Sequence, residues 1–370
     1  MERLRGISLL TYLLLAQLAS AQEIRIGVLG LFHPHQLELR ALPGQALVIQ
    51  GMNKILVLER SSGQDAATLM ASGDQLILQV DNQVLKTPMI RADSRSDGPA
   101  DFTLRVPGKL SRRYHGVLEV KSAAGVLVPI VRMDLEIAVA SAVQAESDSD
   151  TPLEALKAQA VATRSYFVAT RGKHHDFDFC DTTHCQFLRE PPPPDSDFTR
   201  AVFATRGLIL AFRDQAVAAM FARSCGGRTR TPQEVGMSNH GYPYFPVTCA
   251  YCLRNPWRWT RPISESEAAD LNRRGEASRL DIDRRRGWDA VPSNNFTVRH
   301  DGSGVFLDGK GQGHVIGLCQ HGAKAMAQTG SGFREILDHY YPNTTLSPFD
   351  PAREISAAST QTGKSSSALP

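Results

Sequence analysis

The repeat of apolar residues changes once along this chain, and the change divides it. From Gln22 to about residue 130 the apolar residues come in short runs: EIRIGVL, QALVIQ, KILVLE, QLILQV, FTLRV and GVLEV. Each run is cut off by Gly, Pro, Asp or Ser, and a period of two puts successive side chains on opposite faces of a strand. Tyr114-His115-Gly116 leads into the last of these strands. From Val131 the period becomes helical. Asp134 can cap a helix in which Ile137, Ala140 and Val143 recur at three-residue spacing. The expected fold class is α+β: a β-rich subdomain over 22–130, then a mixed helical and β-hairpin domain over 131–350.

The first helix ends near Glu146. A second is predicted from Thr151-Pro152-Leu153-Glu154, with Thr151 as cap, Pro152 at the first helical position and Glu154 completing a capping box. It runs through Ala155–Val168 with Leu153, Leu156, Ala160 and Phe167 on its buried stripe. Lys157, Gln159 and Arg164 are expected elsewhere on its surface. A Cys/His-rich loop follows, then the stiff spacer PPPP at 191–194. GLILAF with AVAAMF, and FTVRH with GVFLDG, read as hairpins. Gln320–Thr329 and Phe333–Tyr341 read as closing helices, separated by Gly330 and stopped by Pro342. Residues 351–370 are rich in Ser, Thr and Ala and are expected to be disordered.

The first 21 residues read as a signal peptide. Arg3 and Arg5 precede the apolar stretch ISLLTYLLLAQL, and Ala19-Ser20-Ala21 offers a cleavage site. No other segment is long and apolar enough to cross a membrane, so an exported mature chain without a transmembrane segment is expected. The net charge of +3 over 370 residues gives no concentrated basic face, which argues against a nucleic-acid partner. The basic run Arg284-Arg285-Arg286 reads as a solvated face.

QAESDSDTPLEALKAQ, residues 144–159, carries Glu146, Asp148, Asp150 and Glu154. Glu154 is explained by the capping box, and Asp148 and Asp150 by a solvated turn. Glu146 differs, because it closes an apolar helix at the negative end of its dipole. That position, the like charge of Asp148 and partial burial all favour its protonated form. A carboxyl that holds its proton near neutral pH can act as a general acid. A solvated residue at the end of a helix is the alternative.

In order, LEIAVASAVQAE, PLEALKAQAVATRSY, FDFCDTTHCQ, ATRGLILAF, ARSCGG and GQGHVIGLCQHGAKAMAQTGSGFREILDHYYPNT resemble the successive motifs of the SpoIID/LytB family, over roughly residues 114–344. The resemblance implies a lytic transglycosylase of bacterial peptidoglycan, with Glu146 as its catalytic acid. Its turn, Ser147-Asp148-Ser149-Asp150, is more acidic than the family's usual one, and the family often has Ser where Cys319 stands. The resemblance further implies that Lys157 and Arg164 orient the substrate or the acid loop. Gln159 is a candidate for holding a sugar acetamido group. His314, Gln320, Ser224 and Tyr244 are candidate groove residues, the tyrosine by stacking on a sugar. The implied partners are glycan strands and other cell-wall hydrolases such as an amidase. Some relatives act as non-catalytic enhancers of an amidase, which is the rival reading. In a bacterial chain the sequons at Asn295 and Asn343 would be accidental.

Six cysteines stand at 180, 185, 225, 249, 252 and 319. An even count in an exported chain fits disulfides. Cys180-x3-His184-Cys185, preceded by His174-His175, also fits a zinc set, and Cys249-x2-Cys252 is a metal-like pair. Some members of the resembled family bind zinc at this loop with two Cys and two His. A structural zinc on His174 (or His175), Cys180, His184 and Cys185 is therefore expected alongside the disulfide alternative. No cofactor is expected for catalysis. A nucleophilic cysteine paired with a histidine is a third option, and it lacks an orienting group.

Overall fold

The computed structural model describes residues 22–239 and 241–349; the expected signal peptide and the tail from 351 lie outside them. Eleven strands come first: β1 (Glu23–Gly27), β2 (Gln36–Ala41), β3 (Ala46–Gly51), β4 (Lys54–Glu59), β5 (Ala66–Ser72), β6 (Gln75–Val80), β7 (Gln83–Thr87), β8 (Met89–Asp93), β9 (Ala100–Val106), β10 (Leu110–Ala123) and β11 (Val126–Asp134). Helices α1 (Leu135–Glu146) and α2 (Leu153–Ala169) follow, then β12 (Phe179–Cys180), α3 (Asp197–Ala204), β13 (Leu208–Phe212), β14 (Gln215–Ala216) and β15 (Phe221–Ala222). The rest is α4 (Ala250–Arg254), β16 (Arg258–Ile263), α5 (Glu265–Arg274), α6 (Glu276–Arg286), β17 (Phe296–Asp301), β18 (Gly304–Lys310), β19 (Leu318–Cys319), α7 (Gln320–Gln328), α8 (Phe333–Tyr340) and β20 (Thr345–Pro348). The fold is α+β.

The first eleven strands and β12 form one curled twelve-stranded sheet in the order β12-β1-β11-β10-β9-β2-β5-β6-β7, with β8, β3 and β4 branching from β10. The alternation read from the sequence is the burial pattern: in β3, Leu47 and Ile49 face inward while their neighbours are half-exposed. β10 holds the curl together. It pairs with β9 as far as Gly116, then with β11 from Val117 and with β8 from Leu118. A Cβ at Gly116 would stand 2.4 Å from the Arg132 carbonyl oxygen, so glycine is needed where β10 changes partners.

Asp134 caps α1 as expected, accepting from the Glu136 N–H at 2.7 Å. The start of α2 differs from expectation. The cap position is Pro152, with no side-chain bond. With the cap at Pro152 the third helical position is Ala155 rather than Glu154, and proline has neither a side-chain acceptor nor an N–H, so no capping box forms. Glu154 instead accepts from Lys157 Nζ at 2.6 Å and from the Phe333 N–H of α8 at 2.9 Å.

α2 is also buried on more than one stripe. Leu156, Ala160 and Phe167 join the core shared with the sheet and α1. Ala158, Val161 and Ala162 join a second core with α7, α8 and β13. A helix between two cores is apolar all round, and its alanines let neighbours approach closely. Gln159 and Arg164, expected on the surface, are therefore inside, with Arg164 at 0% exposure. The Arg164 guanidinium is satisfied there. Its Nη2 donates to Glu136 Oε2 at 2.6 Å, its Nε to Oε1 at 2.9 Å, and its Nη1 to the Leu208 carbonyl at 3.0 Å.

The hairpin expected from GLILAF and AVAAMF is short. β13 pairs with β14 over two residues and with β20 on its other side. Val217 and Ala219 then pass into the second core, and burial of these and of Ala218 accounts for the apolar run. The FTVRH–GVFLDG hairpin forms as β17 and β18, and β16 completes a three-stranded sheet. With α5 and α6 it encloses a third core around Trp259, Leu271, Ile282 and Leu307. The basic run closing α6 is exposed, with Arg284 paired to Asp281 and Arg286 to Glu267.

Removing one partner of a buried ion pair strands the other. Arg164→Ala is expected to lower the unfolding free energy by about 3–5 kcal/mol in urea titration. Arg164→Lys should recover only part of this, because a single ammonium cannot replace the two-pronged contact with Glu136.

Candidate functional site

α1 ends at Glu146, where the Ser147 N–H closes the last turn onto the Val143 carbonyl at 3.0 Å. The chain turns through residues 148–152 and re-enters as α2. α7 begins opposite this turn. A cleft opens between them, lined among others by Glu146, Ser147, Gln159, Arg223, Gln320 and His321. Gln320, the first residue of α7, bridges two walls: its Nε2 donates to the Glu146 carbonyl at 2.9 Å and to Gln159 Oε1 at 3.0 Å. Gln159 Nε2 and Ser147 Oγ are buried in this cleft with no hydrogen-bond partner among the described residues. Buried polar atoms of this kind are uncommon, and a ligand reaches these two only if the side chains that cover them shift.

The four acids of the turn separate by their partners. Asp148 pairs with Arg223 at 2.8 Å, Asp150 with Lys324 at 2.5 Å, and Glu154 with Lys157. The Glu146 carboxyl makes no hydrogen bond or ion pair among the described residues. Burial pushes its pKa up to about 7, against the pull of the Arg223 and Arg189 guanidiniums. Of the causes expected from sequence, partial burial is the one that acts. Asp148 is compensated by Arg223, so desolvation rather than like charge keeps the proton on Glu146. Burial also lowers the pKa of the neighbouring His321.

Of the residues singled out from sequence, the structure brings Glu146, Gln159 and Gln320 together. Lys157, Arg164, Ser224, Tyr244 and His314 do not line this cleft. Lys157 is occupied by Glu154, and Arg164 by Glu136. Tyr244 is buried; its hydroxyl donates to the Ala218 carbonyl and accepts from the Met220 N–H, so its ring cannot stack on a sugar. Ser224 is 1% exposed. His314 Nδ1 accepts from the Ile316 N–H at 3.0 Å, and burial lowers the ring's pKa to about 4. Arg223 and His321 line the cleft and were not selected from sequence; their signal was adjacency to Ser224-Cys225 and to Gln320.

The Cys/His loop lies on the edge of the large sheet. β12 pairs in parallel with β1, Phe179 opposite Ile26 and Cys180 opposite Gly27. Asp181 accepts from the Leu29 N–H at 3.1 Å and from Arg112 at 3.0 Å, which fixes the turn that follows. His174, Cys180, His184 and Cys185 each offer a ligand atom, all within 4.8 Å of one another. His174 Nε2 is 3.2 Å from Cys185 Sγ, and His184 Nδ1 is 3.5 Å from the same sulfur. Tetrahedral zinc with bonds of about 2.0–2.3 Å needs ligand atoms at roughly such spacings, and the donor set fits. His175 is fully exposed and turns to Asp176, so His174 is the ligand candidate.

Glu146 binds its proton more tightly in the folded protein than in the unfolded chain, where the carboxyl titrates near 4.5. Its stabilising contribution is complete below about pH 4.5 and is lost as pH rises through about 7. Glu146→Gln removes this dependence. Its melting temperature should match wild type at pH 4.5 and exceed it by about 2–4 °C at pH 8.5 in calorimetry. Equal differences at the two pH values would refute the raised pKa.

The family model for SpoIID, stage II sporulation protein, matches residues 124–212. An uncharacterized protein of Brachyspira hyodysenteriae is 30% identical over 62% of this chain and 70% of its own. The amidase enhancer of Bacillus subtilis is 26% identical over 55% of this chain, which spans 39% of that protein's length. Stage II sporulation protein D of Bacillus amyloliquefaciens is 23% identical over 66% of this chain and 87% of its own. The matched segment contains α1, the Glu146 turn, α2 and the Cys/His loop. The chain belongs to the SpoIID/LytB-like family.

Proposed function

We propose that the protein is an exported lytic transglycosylase that cuts peptidoglycan glycan, with Glu146 as acid and then base. The observation that carries this reading is a lone carboxyl at pKa about 7 in a cleft beside an unpartnered amide N–H. Glycoside hydrolysis ordinarily uses two carboxylates. Here the neighbouring acid, Asp148, is tied to Arg223, so a one-carboxylate route fits better.

In that route the protonated Glu146 gives its proton to the bridging oxygen as the bond to the MurNAc C1 breaks, and GlcNAc leaves with a free 4-hydroxyl. The oxocarbenium-like C1 is stabilised by the sugar's own N-acetyl group, which Gln159 Nε2 can orient by donating to its carbonyl. The Glu146 carboxylate then takes the proton of the MurNAc 6-hydroxyl as that oxygen bonds to C1. A 1,6-anhydro ring results, Glu146 is protonated again, and no water is consumed. A carboxyl with a pKa near the working pH suits both proton transfers.

A structural zinc on His174, Cys180, His184 and Cys185 is part of the proposal. It would pin the segment after α2 to the sheet edge and takes no part in the reaction. The rival reading is a wall-binding enhancer of an amidase, which the Bacillus subtilis relative's name suggests.

Digests of purified glycan strands, read by mass spectrometry, test the activity. Wild type should yield anhydro-MurNAc ends, with a rate that falls as pH rises through about 7. Glu146→Gln should be slower by about 10²–10⁴-fold. No cleavage by either form, with equal binding to the wall, would select the enhancer. Reducing MurNAc ends that vanish on chelation would select a metal-dependent hydrolase. Separately, Gln159→Leu should raise KM more than it lowers kcat if the amide positions substrate, and leave the Glu146 pH profile in place.

A further inference from the structure

The other four cysteines come from three distant stretches of chain and meet at one point. Cys225 follows Ser224 in the turn after β15. Cys249 and Cys252 stand at the start of α4, where an x2 spacing puts two sulfurs on one side of a helical turn. Cys319 is the N-cap residue of α7. Their four sulfurs lie within 4.8 Å of one another, and none of the residues is more than 2% exposed. Cys252 Sγ and Cys319 Sγ are 3.6 Å apart. Zinc–thiolate bonds of about 2.3 Å in a tetrahedron put sulfurs close to that separation, while a disulfide needs about 2.05 Å.

Several hydrogen-bond donors surround the sulfurs. Cys319 Sγ accepts backbone N–H groups from Cys225 and Gly322, each at 3.4 Å. The Tyr340 hydroxyl donates to Cys249 Sγ at 3.5 Å, and Ser224 Oγ lies 3.5 Å from Cys252 Sγ. Donors arrayed around ligand sulfurs in this way hold and tune a metal site. The packing leaves no slack. A Cβ at Gly322 would lie 2.6 Å from Cys249 Sγ and 1.9 Å from the Tyr340 oxygen. With four sulfur ligands and no exposed face, the site has the closed form of a structural zinc rather than the open form of a catalytic one.

We propose that Cys225, Cys249, Cys252 and Cys319 bind a second zinc ion as a tetrathiolate that braces one wall of the Glu146 cleft. Arg223 stands two residues before Cys225, and Gln320 and His321 directly follow Cys319, so the knot fixes the roots of three cleft side chains. The site stands on its own geometry. It would remain if Glu146 proved not to be catalytic.

The test is metal analysis of the full-length chain, purified without a metal-binding tag. Wild type should carry two zinc ions per chain. Cys185→Ser should carry one, and Cys252→Ser should carry one. If Cys252→Ser does not fold, alkylation of wild type replaces it. The four thiols should resist modification in the native protein and all react after denaturation with a chelator. Recovery of these cysteines as two disulfides would overturn the proposal. So would iron with visible absorption in place of zinc, or wild type with a single zinc that Cys252→Ser retains.

Discussion

The placement of Glu146 depends on a guanidinium far from it. Arg164, sealed inside the protein, grips Glu136 in the first turn of α1 and the carbonyl of Leu208 at the start of β13. The Gly207 N–H donates to the same Glu136 carboxylate at 3.2 Å. One charge pair thus joins α1, α2 and the approach to β13. α1 is a three-turn rod, so fixing its beginning against α2 fixes where its end emerges. Such a pair adds little net stability over an apolar replacement; what it supplies here is a definite angle between the two helices that frame the cleft.

At the far end of that rod the local charges are nearly all cancelled. The turn offers several carboxylates, and basic residues answer each except Glu146: Arg223 and Lys324 reach in from the loop before Cys225 and from α7, and Lys157 answers Glu154 from one turn along α2 itself. Two cations near Glu146 pull its pKa down, yet burial outweighs them. The functional property is therefore a balance between desolvation and attraction, set by how deeply one side chain is tucked beneath its neighbours.

Much of this was legible in the sequence where the signal is local. The strand periods of residues 22–130, the Asp134 cap and the closing helices all follow from spacing. Glu146 was separable from its neighbours because it ends an apolar helix. The illegible parts depend on contacts distant in sequence. Nothing around Arg164 announces that α2 is covered on both sides, and an alanine-rich helix reads as one-faced until the second core is known. Tyr244, expected to meet sugar, is absorbed by main-chain groups of Ala218 and Met220. α5 and α6 were missed because they carry few apolar residues among many charged ones, although Ser264 and Glu267 form the capping box that marks the start of α5. At α2 the same motif misled, since Pro152 occupies the position whose N–H the box requires.

The gathering of Cys225, Cys249, Cys252 and Cys319 also bears on the unit built from β16, β17, β18, α5 and α6. That unit leaves the main body just after Cys252 and returns just before Cys319, and it keeps an apolar interior of its own. Its stem is thus cinched where it departs, like a bag drawn shut at the neck. Beyond the drawstring the unit still leans on the body, with Asn295 donating to the Cys225 carbonyl and Gly275 pressed so close to Val235 that a side chain there would collide with its carbonyl oxygen, so a jolt to the bag is felt at the neck before it reaches the cleft.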